Sequence, residues 1–142
     1  MGAYGRSSAV RENLVDVIGC LEEIKGLSRI RLSSIESGDV SSDLIKYLQQ
    51  SKKLCRHLHI PIQSGDDHIL KLMNRKYNRK KFADLVARLK AHIPGISITT
   101  DCLIGFPGET EDNFQNTLDL VKIIMPLKVH SFPYSRRPGT TA

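Results

Sequence analysis

The sequence has no tryptophan, and its aromatic side chains amount to four Phe and four Tyr among 142 residues. So sparse a set leaves little for a platform on which nucleic-acid bases stack. Cysteine is scarce too: Cys20, Cys55 and Cys102 stand 35 and 47 residues apart. An odd, scattered trio is neither a disulfide framework nor a metal knuckle. No run reaches the ~18 uncharged apolar residues that span a bilayer. The opening Met1-Gly2-Ala3-Tyr4-Gly5-Arg6 lacks the apolar core of a secretion signal. The expectation is a cytoplasmic protein with no membrane association. Glycine-rich phosphate fingerprints and the G-x-S-x-G nucleophile elbow are missing as well, which counts against an ordinary metabolic enzyme acting on a phosphorylated substrate.

What is present is ordinary for a globular domain: 40% hydrophobic and 25% charged residues, with a length that suggests one domain. Lys and Arg number 21 against 15 Asp and Glu, a net charge of +6. That tilts the chain toward an anionic partner such as RNA or phosphate. Much of the positive charge falls in two clusters, Lys52-Lys53 with Arg56, and Arg75-Lys76 with Arg79-Lys80-Lys81. They read either as solvated helix ends or as the grip of a non-catalytic, basic α/β RNA-binding module.

Helical and strand patterns alternate. Val10, Leu14, Val17, Ile18, Leu21 and Ile24 share one helical face, ended by Gly26. Residues 29–34 alternate like a short strand. Ser41 or Ser42 caps a helix with Leu44, Ile45 and Leu48 buried. Residues 57–62 form a second strand, with Pro61 marking the end of pairing. A short helix follows from Asp66 to Met73. Asn78 caps the next, which turns Phe82, Leu85, Val86 and Leu89 inward and breaks at Pro94-Gly95. Residues 96–104 are the third strand. Thr110 caps a long helix with Phe114, Leu118, Val121 and Ile124 inward, stopped by Pro126. Residues 128–132 are the fourth strand. Strands separated by helices pair in parallel through right-handed crossovers. Either a doubly wound sheet or a stretch of (β/α) barrel fits. A whole barrel takes roughly 250 residues, so four strands make about half of one.

In both architectures ligands bind at the carboxyl ends of the strands. There the sequence sets Ser33, Ser34 and Glu36; Gln63-Ser64-Gly65-Asp66; Gly105-Phe106-Pro107-Gly108-Glu109-Thr110; and residues 134–140. Each loop alone reads first as a turn into a capped helix, with Gly65 supplying a positive φ. Together they read as a shared site. Gly105 and Gly108 let the main chain approach a flat ligand, where backbone groups can read an adenine edge. Glu36 and Gln63 suit ribose hydroxyls or an amino-acid head group, or else a helix cap or a rim ion pair. His57 and His59 share a strand face, but a metal pair lacks a third ligand.

Four stretches together carry a resemblance: Leu58-His59-Ile60-Pro61-Ile62-Gln63-Ser64-Gly65, residues 70–77 (LKLMNRKY), residues 101–111 (DCLIGFPGETE) and Tyr134-Ser135-Arg136-Arg137-Pro138-Gly139-Thr140. With Ala3-Tyr4-Gly5 before the first helix, they resemble the radical S-adenosylmethionine methylthiotransferases over essentially the whole chain. Arg31-Leu32-Ser33-Ser34-Ile35-Glu36 looks most like the branch acting on N6-threonylcarbamoyladenosine beside the tRNA anticodon; relatives act on isopentenyladenosine or a ribosomal protein. Arg136 departs from the proline of many relatives.

The resemblance implies a partial (β/α) TIM-type barrel, about half, with four parallel strands alternating with helices. In the full-length family a C-x3-C-x2-C loop holds a 4Fe-4S cluster, which splits S-adenosylmethionine to a radical that opens a C–H bond for methylthio transfer to tRNA. Residues 1–142 contain no such loop. They are expected to be a central piece of the radical SAM domain, lacking the N-terminal cluster-binding part and the C-terminal RNA-binding domain. Such a piece is unable to bind the cluster and is inert alone. The resemblance places Ser33, Glu36, Gln63, Gly105, Phe106 and Pro107 around S-adenosylmethionine, with Glu109 supporting the loop. It turns Arg75, Tyr134 and Arg137 toward cofactor carboxylate or substrate. It assigns no catalytic residue and no metal ligand to these positions. A half barrel also leaves sheet edges unpaired, so dimerisation through them is expected.

Overall fold

A computed structural model of the chain describes Tyr4 and residues 13–139. Val10, Ala3, Gly5 and Thr140, invoked above, lie outside the described residues. Three strands, β1 (His57–His59), β2 (Ser97–Ile104) and β3 (Lys128–Pro133), form one parallel sheet in that order. Five helices accompany them: α1 (Leu14–Glu22), α2 (Ser42–Gln50), α3 (Asp67–Leu72), α4 (Arg79–His92) and α5 (Glu111–Ile124). None of the described helices is long and apolar enough to cross a membrane.

Strand parity explains the two faces of the sheet. Leu58, Ile98, Thr100 and Cys102 are buried on the side that meets the helices, and Ile60 continues that row. His57, His59, Thr99, Asp101 and His130 fall on the opposite parity. Helices α1 and α2, α2 and α4, and α4 and α5 pack as successive neighbours. The caps follow from side-chain chemistry. Ser41 Oγ accepts from Leu44 N–H, Asn78 Oδ1 from Lys81 N–H, and Thr110 shares a reciprocal box with Asn113. The α4 stripe is as expected: Phe82, Leu85, Val86 and Leu89 are buried. Each such side chain stabilises the fold by roughly 1.5–3 kcal/mol.

Three expectations need correction. Residues 29–34 do not form a fourth strand: they make an isolated parallel bridge, Ile30 to Leu54. Ile30 N–H donates to Lys53 O (2.8 Å), Cys55 N–H to Ile30 O (2.9 Å) and Ile35 N–H to His59 O (3.0 Å). The segment thus runs beside β1 and is tied at its ends without a continuous ladder. Helix α5 buries Thr117, Leu120 and Ile124, whereas Leu118 is exposed and Phe114 and Val121 are half-buried. Gly65 has no positive φ; in that loop it is Gln63 that takes one, +61°.

Gln63 reaches that conformation through a bulge. His59 pairs with Thr99 and Gln63 with Cys102, so four steps on one side face three on the other. Pro61 has no N–H to give. Instead the N–H groups of Ile62 (3.2 Å) and Gln63 (2.9 Å) both donate to Asp101 O. Tyr77 clamps the bulge, its hydroxyl lying 3.2 Å from Pro61 O and 3.0 Å from Ile62 O. Burial pushes the Tyr77 phenol far above its ordinary range.

The amino end of the helical layer is tied by one carboxylate. Glu22 accepts from Ser51 Oγ (2.5 Å), the Tyr47 hydroxyl and the N–H groups of Lys52 and Lys53. The hydrogen bonds from Ser51, Tyr47 and Lys53 hold its pKa down at about 2, against an ordinary 4.5. A carboxylate whose folded pKa is depressed adds stability above its unfolded value and loses it as pH falls through the folded one. Glu22→Gln is therefore expected to lower the urea midpoint at pH 6 and to flatten its decline between pH 4.5 and 2. Denaturation curves across that interval check both.

Candidate functional site at the carboxyl rim

Because the strands are parallel, their carboxyl ends meet at one edge of the sheet. A hollow of about 530 Å³ opens there, lined by Gln63, Asp101, Leu103, Phe132, Tyr134 and Arg137. Tyr134 is drawn in by its N–H, which donates to Ile104 O at 2.7 Å. Phe106 meets its ring edge to face, with centroids 5.6 Å apart. The Tyr134 hydroxyl is buried without a hydrogen-bond partner.

The loop after β2 is closed on itself. Gly105 (φ +76°) donates its N–H to Glu109 Oε2 at 2.5 Å, and Glu109 N–H donates to Phe106 O at 2.8 Å. Glu109 therefore supports the loop. It also engages the Gly105 N–H, so that donor is not open to an adenine edge. Pro107 lies exposed at the turn.

The other site candidates divide between two further hollows. Glu36 and Arg75 face each other: Arg75 Nη1 lies 2.9 Å from Glu36 Oε1 in a hollow of about 470 Å³ that includes Tyr77. This is the rim ion pair of the plainer reading. It is half-exposed, so its own contribution to stability is small. Ser33 lines a different hollow, with His57, His59 and Lys128. Gln63, Tyr134 and Arg137 are thus brought together, with Phe106 against Tyr134, while Ser33 and the Glu36–Arg75 pair stand in neighbouring recesses.

Sequence reasoning missed Thr99 and Asp101. Thr99 Oγ1 lies 3.0 Å from His57 Nε2 and 2.8 Å from His59 Nδ1, and His59 Nε2 lies 2.9 Å from Asp101 Oδ2. The signal was the alternation of β2, which sets 97, 99, 101 and 103 on the face opposite Ile98, Thr100 and Cys102. Burial, then the positive charge of Arg31 and the proximity of His59, lowers the His57 pKa and keeps its ring neutral near pH 7.

Several residues of the basic clusters make contacts within the fold. Lys53 Nζ donates to the carbonyls of Glu22 and Ile24, Arg56 to Pro94 O, Arg79 to Asn116 Oδ1, and Lys80 pairs with Asp84. The cysteines suit no iron–sulfur cluster. Cys20 is exposed on α1, Cys55 precedes β1, and Cys102 is buried in β2, its thiol pushed up to about 11 by burial with help from Asp101 and Glu109. No group of three metal-ligating side chains exists among the described residues.

Parallel strands alternating with helices, with a recess at the carboxyl edge, have the architecture of part of a β/α barrel, and the family comparison agrees. The model of the Radical SAM superfamily matches residues 5–121, and the chain belongs to that superfamily. It is 40% identical over all 142 residues to the tRNA-2-methylthio-N(6)-dimethylallyladenosine synthase of Lachnoclostridium phytofermentans, covering 31% of that protein. It is 43% identical over 142 residues to the threonylcarbamoyladenosine tRNA methylthiotransferase of Thermotoga maritima, covering 32%. It is 46% identical over 119 residues, 84% of the chain, to the Bacillus subtilis protein of the latter description, covering 26%. The chain thus spans about a third or less of the length of these curated relatives.

Proposed function

We propose that residues 1–142 form the central part of the radical SAM domain of a tRNA methylthiotransferase acting on N6-threonylcarbamoyladenosine beside the anticodon. The observation that carries this reading is the match of the whole chain to about a third of tRNA-modifying relatives at 40% and 43% identity, on a fold whose rim presents Gln63, Phe106, Tyr134 and Arg137 together. The partnerless Tyr134 hydroxyl fits a ligand with ribose or amino-acid polar groups. In this reading Gln63, Tyr134 and Arg137 hold the polar end of S-adenosylmethionine, and Phe106 flanks its base. The cluster does not fit: the cysteines of this chain are too dispersed to hold it, so no step is assigned to these residues through it.

The test is genetic and chemical. Deleting codons 1–142 in frame is expected to abolish the methylthio group on threonylcarbamoyladenosine in digested cellular tRNA, read by mass spectrometry. Loss from isopentenyladenosine instead would assign the other branch; unchanged nucleosides would sink the reading. The purified 142-residue chain under reducing conditions is expected to leave S-adenosylmethionine intact, and turnover by it would show that the cluster ligands are not missing.

A further inference from the structure

The opposite half of the polar sheet face holds a second recess, of about 740 Å³, lined by Arg31, His57, His59, Thr99, Lys128 and His130. We propose that it is an anion site that takes a phosphate group of a phosphorylated ligand, held between Arg31 and Lys128. The proposal is independent of the methylthiotransferase reading.

The charge pattern carries it. No carboxylate lines the recess, and among the described residues none lies within ion-pair reach of Arg31 or Lys128. Asp101, on the same face, lies against His59 and lines the neighbouring hollow. Two cations without a counter-ion in a concave pocket concentrate positive potential.

Donor accounting points the same way. Arg31 Nη2 lies 3.3 Å from His57 Nε2. A guanidinium only donates, so that nitrogen accepts and the His57 proton sits on Nδ1. His57 lines the recess and is 8% exposed, and its buried Nδ1 has no hydrogen-bond partner. The remaining N–H groups of Arg31 and the ammonium of Lys128 add to it.

Arg31 Nη2 and Thr99 Oγ1 both lie against His57 Nε2, and Thr99 is the register partner of Lys128 on β3, so the two cations stand on opposite sides of Thr99 around one recess. The recess is far larger than phosphate alone, which leaves room for an attached nucleoside.

Inorganic phosphate is titrated into the 142-residue chain at constant ionic strength, with the five imidazoles followed by NMR. Saturable shifts are expected at His57, His59 and His130, with His68 and His92, exposed on α3 and α4, unmoved. Arg31→Gln and Lys128→Gln are each expected to weaken binding roughly ten-fold, the size of one charge-assisted contact. Lys122→Gln, whose lysine pairs with Asp119 on α5, is expected to change nothing. A short single-stranded RNA then distinguishes the source. Competition at the same three rings assigns the phosphate to a nucleic-acid backbone, and phosphate binding without RNA competition assigns it to a small phosphorylated ligand; both support the site. Non-saturating shifts, shifts spread over all five rings, or undiminished binding in both variants would overturn it.

Discussion

Gly65→Ala is expected to lower stability by about 3 kcal/mol, near the upper end of overpacking penalties. A Cβ at Gly65 would stand 2.6 Å from Thr117 Cα, 2.9 Å from Asn116 O and 3.1 Å from Leu120 Cβ. The first two obstacles are backbone of α5, which has no rotamer to change. Gly65 N–H also donates to Thr117 Oγ1 at 2.8 Å, so separating the loop from the helix would break that bond too. For a chain of this length the thermal midpoint should fall on the order of 10 °C. Gly105→Ala provides the contrast. Gly105 needs a positive φ of +76°, but nothing lies within 4 Å of its added methyl, so only backbone strain of about 1 kcal/mol is expected. Thermal denaturation of the two variants side by side separates close approach from conformational freedom. Equal losses would show that α5 yields.

The neighbouring Asp66 should produce the second large effect. Its Oδ1 accepts from His68 N–H (2.9 Å) and Ile69 N–H (3.1 Å), and its Oδ2 from Asn116 Nδ2 (2.7 Å). It is 8% exposed. Asp66→Ala removes the α3 cap and leaves the Asn116 amide without this acceptor, a loss of about 2–3 kcal/mol. Burial by itself would raise the Asp66 pKa, but the donors from Ile69, Asn116, Asn113 and His68 outweigh it and hold it below the ordinary 3.8. Since the folded value is the lower one, the charged cap stabilises above pH 3.8, and that stability drains away as pH falls through the folded value. Asp66→Asn should therefore narrow the difference in urea midpoint between pH 6 and pH 3. An unchanged difference would show that the carboxylate charge contributes nothing.

Most helices were legible because they rest on local chemistry. Ser41, Asp66, Asn78 and Thr110 were readable as caps from their side chains, and the α2 and α4 stripes from apolar spacing. The α5 face was misread for the same reason in reverse. Phe114 and Leu118 carry the hydrophobic signal, but Thr117 occupies the buried position because its hydroxyl meets the Gly65 N–H. No local pattern announces a contact with a partner 52 residues away. Residues 29–34 alternate like a strand, yet a ladder also needs a neighbour in register, and the segment finds one only at Ile30, against Lys53–Cys55 ahead of β1, and just past its end at Ile35, which bonds to His59. At the rim, Gln63 and Tyr134 stood out as polar residues after strands. Their separation from Glu36 follows from the Arg75 ion pair, which links segments 39 residues apart and is invisible along the chain.

The parallel order of the sheet also bears on how the chain reaches this state. His57 meets Ser97 and Thr99 meets Lys128, so among the described residues each strand of the sheet finds its partner some thirty or forty residues away and no hairpin seeds the sheet. The smallest unit able to nucleate is a whole strand–helix–strand crossover, whose ends must close a long loop before any ladder bond repays the lost entropy. Refolding should accordingly be limited by the search for β2, the only strand that touches both others.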